Sequence, residues 1–273
     1  MERSTATPPP GAHGTPHHLL IIFEVDTSPP DCIKGASMIY GYKKLSKPED
    51  WKDIVGARNW RPTRSAYELA HKWHRSGRMP PLVRKAFEQS ANPLFRGLSI
   101  HCLYVERPTF LDTFKAPSYT DIMVHCRTRD NRPLIVGVEG KANEPFDAPV
   151  RKWIAGKGAS EKPSRVRRLE FLSSMLGVPI QRDSPLRYQL VHRTAAIVHQ
   201  AALAGAIAAV VLVHSFAEQS EDNWHDFQAF LRHLKVEPTL KGVFAGPCLL
   251  GSCPQVKTYF VWITDAPVRP KAS

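Results

Sequence analysis

The sequence predicts an α/β protein with a mixed central sheet flanked by helices, behind an α-helical N-terminal lead-in. Three observations carry this. Residues 133–141, PLIVGVEGK, read as a strand that follows an RDNR turn and a partner strand over 120–127. Residues 185–205, PLRYQLVHRTAAIVHQAALAG, have helical spacing between an opening Pro and a closing Gly. Residues 207–214, IAAVVLVH, form the continuous apolar run of a strand buried on both faces. Strand, helix and strand in that order require at least one parallel crossover.

Taken in order, residues 1–18 are rich in Pro, Gly, Ser, Thr and His and are expected to be a disordered tail. Residues 19–98 are expected to form a mostly helical segment packed on the core. It begins with a strand at 18–25, HLLIIFEV, ended by SPP. Ser46, Pro48 and Glu49 then suggest a capped short helix, with Ser46 as the cap. Ser65 and Glu68 repeat the capping-box spacing before a helix whose apolar face is Tyr67, Leu69, Ala70 and Trp73. A further helix is expected over 81–89.

The core domain is assigned to residues 99–265, with a tail at 266–273. Residues 98–105, LSIHCLYV, are apolar enough for a strand or a helix end, and periodicity does not choose between them. After the hairpin, residues 151–168 carry seven Lys or Arg against one Glu and read as a basic loop. It leads into a helix at 164–176 closed by Gly177. Asn223 suits the cap of a helix whose Trp224, Phe227, Phe230, Leu231 and Leu234 recur at core spacing. Residues 256–263, VKTYFVWI, supply a last strand.

Composition narrows the function classes. Lys and Arg number 37 against 25 Asp and Glu, a net charge of +12 that favours polyanionic partners. The five cysteines are scattered and lack the paired spacing of a zinc site, so free thiols are expected. No run approaches the ~18 apolar residues of a membrane span, and the first residues lack a signal pattern, so a soluble cytoplasmic protein is expected. A Walker phosphate loop and a Gly-x-Ser-x-Gly elbow are both missing from the sequence.

The hairpin carries the chemistry. Strand alternation puts Ile135, Gly137, Glu139 and Lys141 on one face, and pairing across RDNR brings Asp121 level with Glu139 and Lys141. Two carboxylates and a lysine at one sheet end suit Mg²⁺ or Mn²⁺ beside a phosphate. A salt bridge in an exposed hairpin is the simpler reading of the same residues.

At these residues the chain resembles the PD-(D/E)XK nuclease superfamily, whose signature is an Asp, a short stretch, then an acid, one residue and a Lys. Asp121, Glu139, Gly140 and Lys141 match it, although Pro117 stands four residues before Asp121 instead of next to it. Resemblance is closer still to an uncharacterised bacterial branch carrying stretches like VEGKANEPF, LRYQLVHRTAA and VLVHSF. It implies a restriction-endonuclease-like sheet, Asp121 and Glu139 as ligands of Mg²⁺, and Lys141 assisting the attacking water. It also suggests Gln189 as a catalytic residue and Glu106 as a further metal ligand. The implied partner is nucleic acid, DNA before RNA, and a homodimer fits the class. Arg151, Lys152, Arg165, Arg168, His192 and Arg193 are the candidate phosphate contacts, and Glu144 a candidate support for the site. A solvated basic surface is the bland alternative for these cations. For the whole protein the alternative is a catalytically inactive nuclease-fold module that binds nucleic acid or protein.

Overall fold

A computed structural model describes residues 38–41, 43–74, 79–113, 116–156, 160–217 and 221–268. The strand expected at 18–25 lies outside them. Among the described residues seven strands form one mixed sheet: β1 (Met38–Tyr40), β2 (Ser99–Thr109), β3 (Ser118–Arg127), β4 (Pro133–Lys141), β5 (Ala208–Ser215), β6 (Ala245–Leu249) and β7 (Lys257–Thr264). Their spatial order is β1-β2-β3-β4-β5-β7-β6. The hairpin of β3 and β4 is antiparallel, with Ile122 opposite Val138 and Arg127 opposite Pro133. Strand β5 runs parallel to β4 and β7 runs parallel to β5. Every residue of β5 is buried, as its unbroken apolar run requires of a central strand.

Helices cover both faces. The N-terminal ones are α1 (Lys52–Val55), α2 (Ser65–Leu69), which continues as a π-helical turn over Ala70–His74, and α3 (Pro81–Glu88). After the hairpin come α4 (Val150–Ala155), α5 (Pro163–Leu176), α6 (Tyr188–Leu203) and α7 (Glu221–His233). Alternation along β4 divides the core in two. Leu134, Val136 and Val138 pack with Leu69, Trp73, Val83 and Phe87 on the first face. Ile135 packs with Leu172, Val191, Ile197 and Phe227 on the other.

Two glycines of the VGVEGK stretch let helices approach β4 closely. A Cβ on Gly137 would lie 2.2 Å from Ile197 Cγ1 of α6, and one on Gly140 would lie 2.6 Å from Leu69 Cδ1 of α2. Glu139 therefore sits between two close helix contacts, one on each face. On the α2 side, Trp73 Nε1 donates to His214 Nδ1 on β5 at 3.1 Å, and Lys72 pairs with Asp265 just after β7 at 2.8 Å.

Several local expectations shift. The first helix opens as a 3-10 turn at Pro48–Trp51, with Lys47 as the cap. Asp50, not Glu49, closes it by accepting from the backbone N–H groups of Ser46 and Lys47. Ser65 lies inside α2, whose cap residue is Arg64, and Glu68 accepts from Thr63 N–H and from Val268 N–H. The second of these bonds ties down part of the expected C-terminal tail. Asn223 lies within the first turn of α7, where it bonds to another loop instead of capping. The start of the basic loop is helical, as α4. The short edge strands β1 and β6 lack an apolar alternation that would announce them.

Among the described residues no helix is long and apolar enough to cross a membrane. Among the described residues Cys102, Cys126, Cys248 and Cys253 are in no disulfide.

Candidate functional site

The C-terminal end of β4 carries Glu139 and Lys141, and the start of β3 presents Asp121 beside them. The Asp121 carboxylate accepts from Gly140 N–H at 2.9 Å, which fixes one strand end to the other. Glu139 and Lys141 are 4% and 3% exposed, so this pair is not a surface salt bridge. Lys141 Nζ donates to Glu139 Oε1 at 2.9 Å and to Gln189 Oε1 at 3.0 Å, and it lies 4.8 Å from the centre of the Phe146 ring. Gln189 also donates to Glu139 Oε1 and accepts from Asp147 N–H at 3.2 Å. The first turns of α6 thus supply a carboxamide that holds both members of the β4 pair.

One helical turn on, Arg193 enters the same site. Its Nε donates to Glu139 Oε2 at 2.8 Å, Nη1 to Ser118 Oγ at 3.4 Å, and Nη2 to Asp121 Oδ1 at 3.5 Å. The guanidinium bridges the two carboxylates expected to hold a metal. Sequence spacing alone placed Arg193 on the same helix face as Gln189, but its partners here are acids.

Glu106 of β2 lines the same cavity, which has a volume of about 330 Å³. Trp51, Arg64, Ser65 and Glu144 line it from other segments. Glu144 Oε1 accepts from Ser65 N–H at 3.1 Å, so this acid links α2 to the site. Its Oε2 is buried with no partner. Asn223 holds the loop in place by accepting from Phe146 N–H at 3.0 Å and donating to Glu144 O at 3.1 Å.

The electrostatics are those of crowded acids. Burial raises Asp121 well above the ordinary carboxyl range, and Glu139 and Glu106 raise it further. Burial likewise raises Glu106 to about 7, opposed by Arg193 and assisted by Glu139. At Glu139 burial pushes upward too, but Lys141 and Arg193 outweigh it and leave the carboxyl below its usual range.

These features test whether a divalent cation suits the residues present. Among the described residues no three His, Cys, Asp or Glu side chains are grouped closely enough to encage a metal. The donor set is nonetheless that of a hard cation: Asp121 and Glu139, with Glu106 beside them and an unpartnered Glu144 oxygen in the same cavity. Mg²⁺ keeps several waters and is often held through one or two carboxylates. The residues fit such an ion on condition that Arg193 gives way.

The remaining candidate cations lie apart from the cavity. Arg168 is buried and ion-paired with Asp112. Arg165 donates to Trp153 O and lies over the Trp153 ring at 5.3 Å. His192 is partly buried, bonds to Ser118 Oγ through Nδ1 at 2.7 Å, and packs against Tyr188 at 4.7 Å. Burial and the charge of Arg193 hold it well below the usual imidazole range. Arg151 and Lys152 are exposed on α4.

A family model matches residues 44–267, and the chain belongs to that family, described as Domain of unknown function (DUF6946). No curated protein and no solved structure matches the chain.

Proposed function

We propose that this member of the family is a metal-dependent nuclease with a restriction-endonuclease-like core, hydrolysing phosphodiester bonds in cytoplasmic DNA rather than RNA. The observation that supports it most is the meeting of Asp121, Glu139, Lys141 and Gln189 at one end of the sheet, drawn from β3, β4 and α6. Asp121 and Glu139 would hold Mg²⁺ or Mn²⁺, with Glu106 as a further oxygen ligand. Such an ion supplies Lewis-acid polarisation of the scissile phosphate. Gln189 and Glu139 hold the Lys141 ammonium, which orients the attacking water and balances charge developing on the phosphate oxygens. Phe146 shields that ammonium from bulk water. Arg193 neutralises the two acids until a cation binds between them.

The test is cleavage of single- and double-stranded DNA and RNA by the purified chain in Mg²⁺ or Mn²⁺. Activity on DNA is expected to vanish in Lys141→Ala and Asp121→Asn. Absence of metal-dependent cleavage over the panel, or its survival in both variants, overturns the assignment.

The Arg193 bridge favours a second reading, a nucleic-acid-binding module in which a guanidinium stands in for the metal. That module binds nucleic acid in a salt-sensitive way, needs no metal, and loses little on Glu139→Gln.

A further inference from the structure

Beside the site cavity lies a larger one of about 580 Å³, within the range of about 300–1,000 Å³ typical of small-ligand sites. The two cavities share Val55, Asn59, Val105 and Glu106 along their common wall. The walls of the second are apolar at Ile54, Val55 and Pro108 and aromatic at Tyr104 and Tyr119. Arg107 lies over the Tyr104 ring at 4.9 Å, and its Nε is buried without a hydrogen-bond partner. An unpartnered buried donor costs stability unless something from outside completes it. Tyr119, opposite Pro108 in the register of β2 and β3, is 48% exposed, so its ring is open to a ligand from solvent. Asn59 spends its amide N–H on Val55 O at 3.0 Å, which leaves the carboxamide oxygen to accept.

The wall between the cavities is also the strained point of the strand. Glu106 has φ of +50°, in the left-handed region that a Glu rarely adopts, and the residues on either side of it, Val105 and Arg107, keep their pairing with β3. Strain of this kind persists where the surroundings hold it and collects at binding sites. Here it sits between the acids and the aromatic cavity.

We propose that this second cavity binds one unpaired nucleobase of the nucleic acid whose phosphate lies at Lys141. A planar base matches the aromatic and guanidinium surfaces, and its edge, which carries donors and acceptors, matches Arg107 and Asn59. The substrate this implies is single-stranded, or is a duplex with a base turned out beside the scissile phosphate, since a paired base cannot enter. The proposal rests on the phosphodiester reading of the neighbouring site.

The test uses the full chain in EDTA, so that no cleavage occurs and the metal reading is not involved. Binding of a fluorescein-labelled single-stranded oligodeoxynucleotide is compared with that of an abasic strand of equal length, for wild type, Tyr119→Ala, Arg107→Gln and Lys141→Ala. Tyr119→Ala and Arg107→Gln are expected to weaken the base-bearing strand by about 5- to 150-fold, the range of single base-stacking losses, and to leave the abasic strand nearly unchanged. Lys141→Ala is expected to weaken both strands. Equal binding of the two strands, or equal losses on both in the Tyr119 and Arg107 variants, overturns the base pocket while leaving the phosphate site intact. Failure of both strands to bind overturns both readings. Thermal melts of each variant separate loss of binding from loss of fold.

Discussion

Replacing Arg193 with Gln separates a metal site from a structural ion network. In the wild type the guanidinium lies 2.8 Å from Glu139 and 3.5 Å from Asp121, both in a buried setting. Breaking a buried ion pair costs about 3–5 kcal/mol because a charge is left uncompensated. The lower end is expected here. Lys141 remains 2.9 Å from Glu139, and Asp121 and Glu106, both already raised by burial, can take up protons. About 3 kcal/mol corresponds to a loss of roughly 6–12 °C in melting temperature for a domain of this size. The assay is a melt followed by circular dichroism, first in EDTA and then over a Mn²⁺ series. In the variant the ion no longer competes with a guanidinium, so Mn²⁺ should bind more tightly, and at 100 times its Kd should restore about 2.7 kcal/mol. The wild type should respond less at the same concentration. A loss under about 1 kcal/mol in EDTA would show that the bridge is energetically slack. No Mn²⁺ response in either protein would remove the basis for placing a cation between Asp121 and Glu139.

Three other perturbations test the packing, a loop anchor and the pH dependence of the fold. Gly137→Ala sets a methyl 2.2 Å from Ile197, so a loss of about 1–3 kcal/mol by chemical denaturation is expected, with partial recovery in the double variant Gly137→Ala with Ile197→Val. Additive losses would mean that β4 and α6 do not meet there. Asn223→Ala removes both bonds to the 144–146 loop, and a destabilisation of about 1–3 kcal/mol is expected, together with faster amide exchange at Phe146; unchanged exchange would refute the role of Asn223. His125, lowered to about 4 by burial and then by the charges of Arg107, His101 and Arg127, takes up its proton more readily when unfolded, where its value is 6.5. Its contribution is therefore complete above pH 6.5 and falls away as pH drops toward 4, by up to about 3 kcal/mol. His125→Asn should flatten that slope in a pH series of denaturant midpoints, leaving the part due to His192, His199 and His214, which are lowered in the same direction.

Much of this architecture is written in short-range patterns. Alternation along PLIVGVEGK sends Glu139 and Lys141 to one side because a strand repeats every two residues, and an antiparallel turn at RDNR obliges Asp121 to meet them. The apolar run of β5 and the spacing of α6 likewise follow from local chemistry, so both were legible with their crossover. No local pattern placed Gln189 or Glu106 at the sheet end, since one comes from α6 and the other from β2.

Tertiary structure decided the rest, for reasons that sequence spacing does not encode. Gly137 and Gly140 admit α6 and α2 to within contact of β4, and this closeness brings Arg193 onto Glu139 and Asp121. A basic residue one turn after Gln189 suggests a phosphate contact when read alone, whereas the packed helix gives it two acids as partners. Arg168 shows the same thing in the other direction, since charge in a basic stretch reads as surface until burial and pairing with Asp112 are seen. The caps moved for a similar reason: Glu68 and Asn223 spend bonding capacity on distant backbone, at Val268 and Phe146. Strand pairing and helix period are properties of neighbours along the chain, and a site with its counter-ions is made by residues far apart in sequence. The three residues of the hairpin could therefore be read from the sequence, and the arginine between its two acids could not.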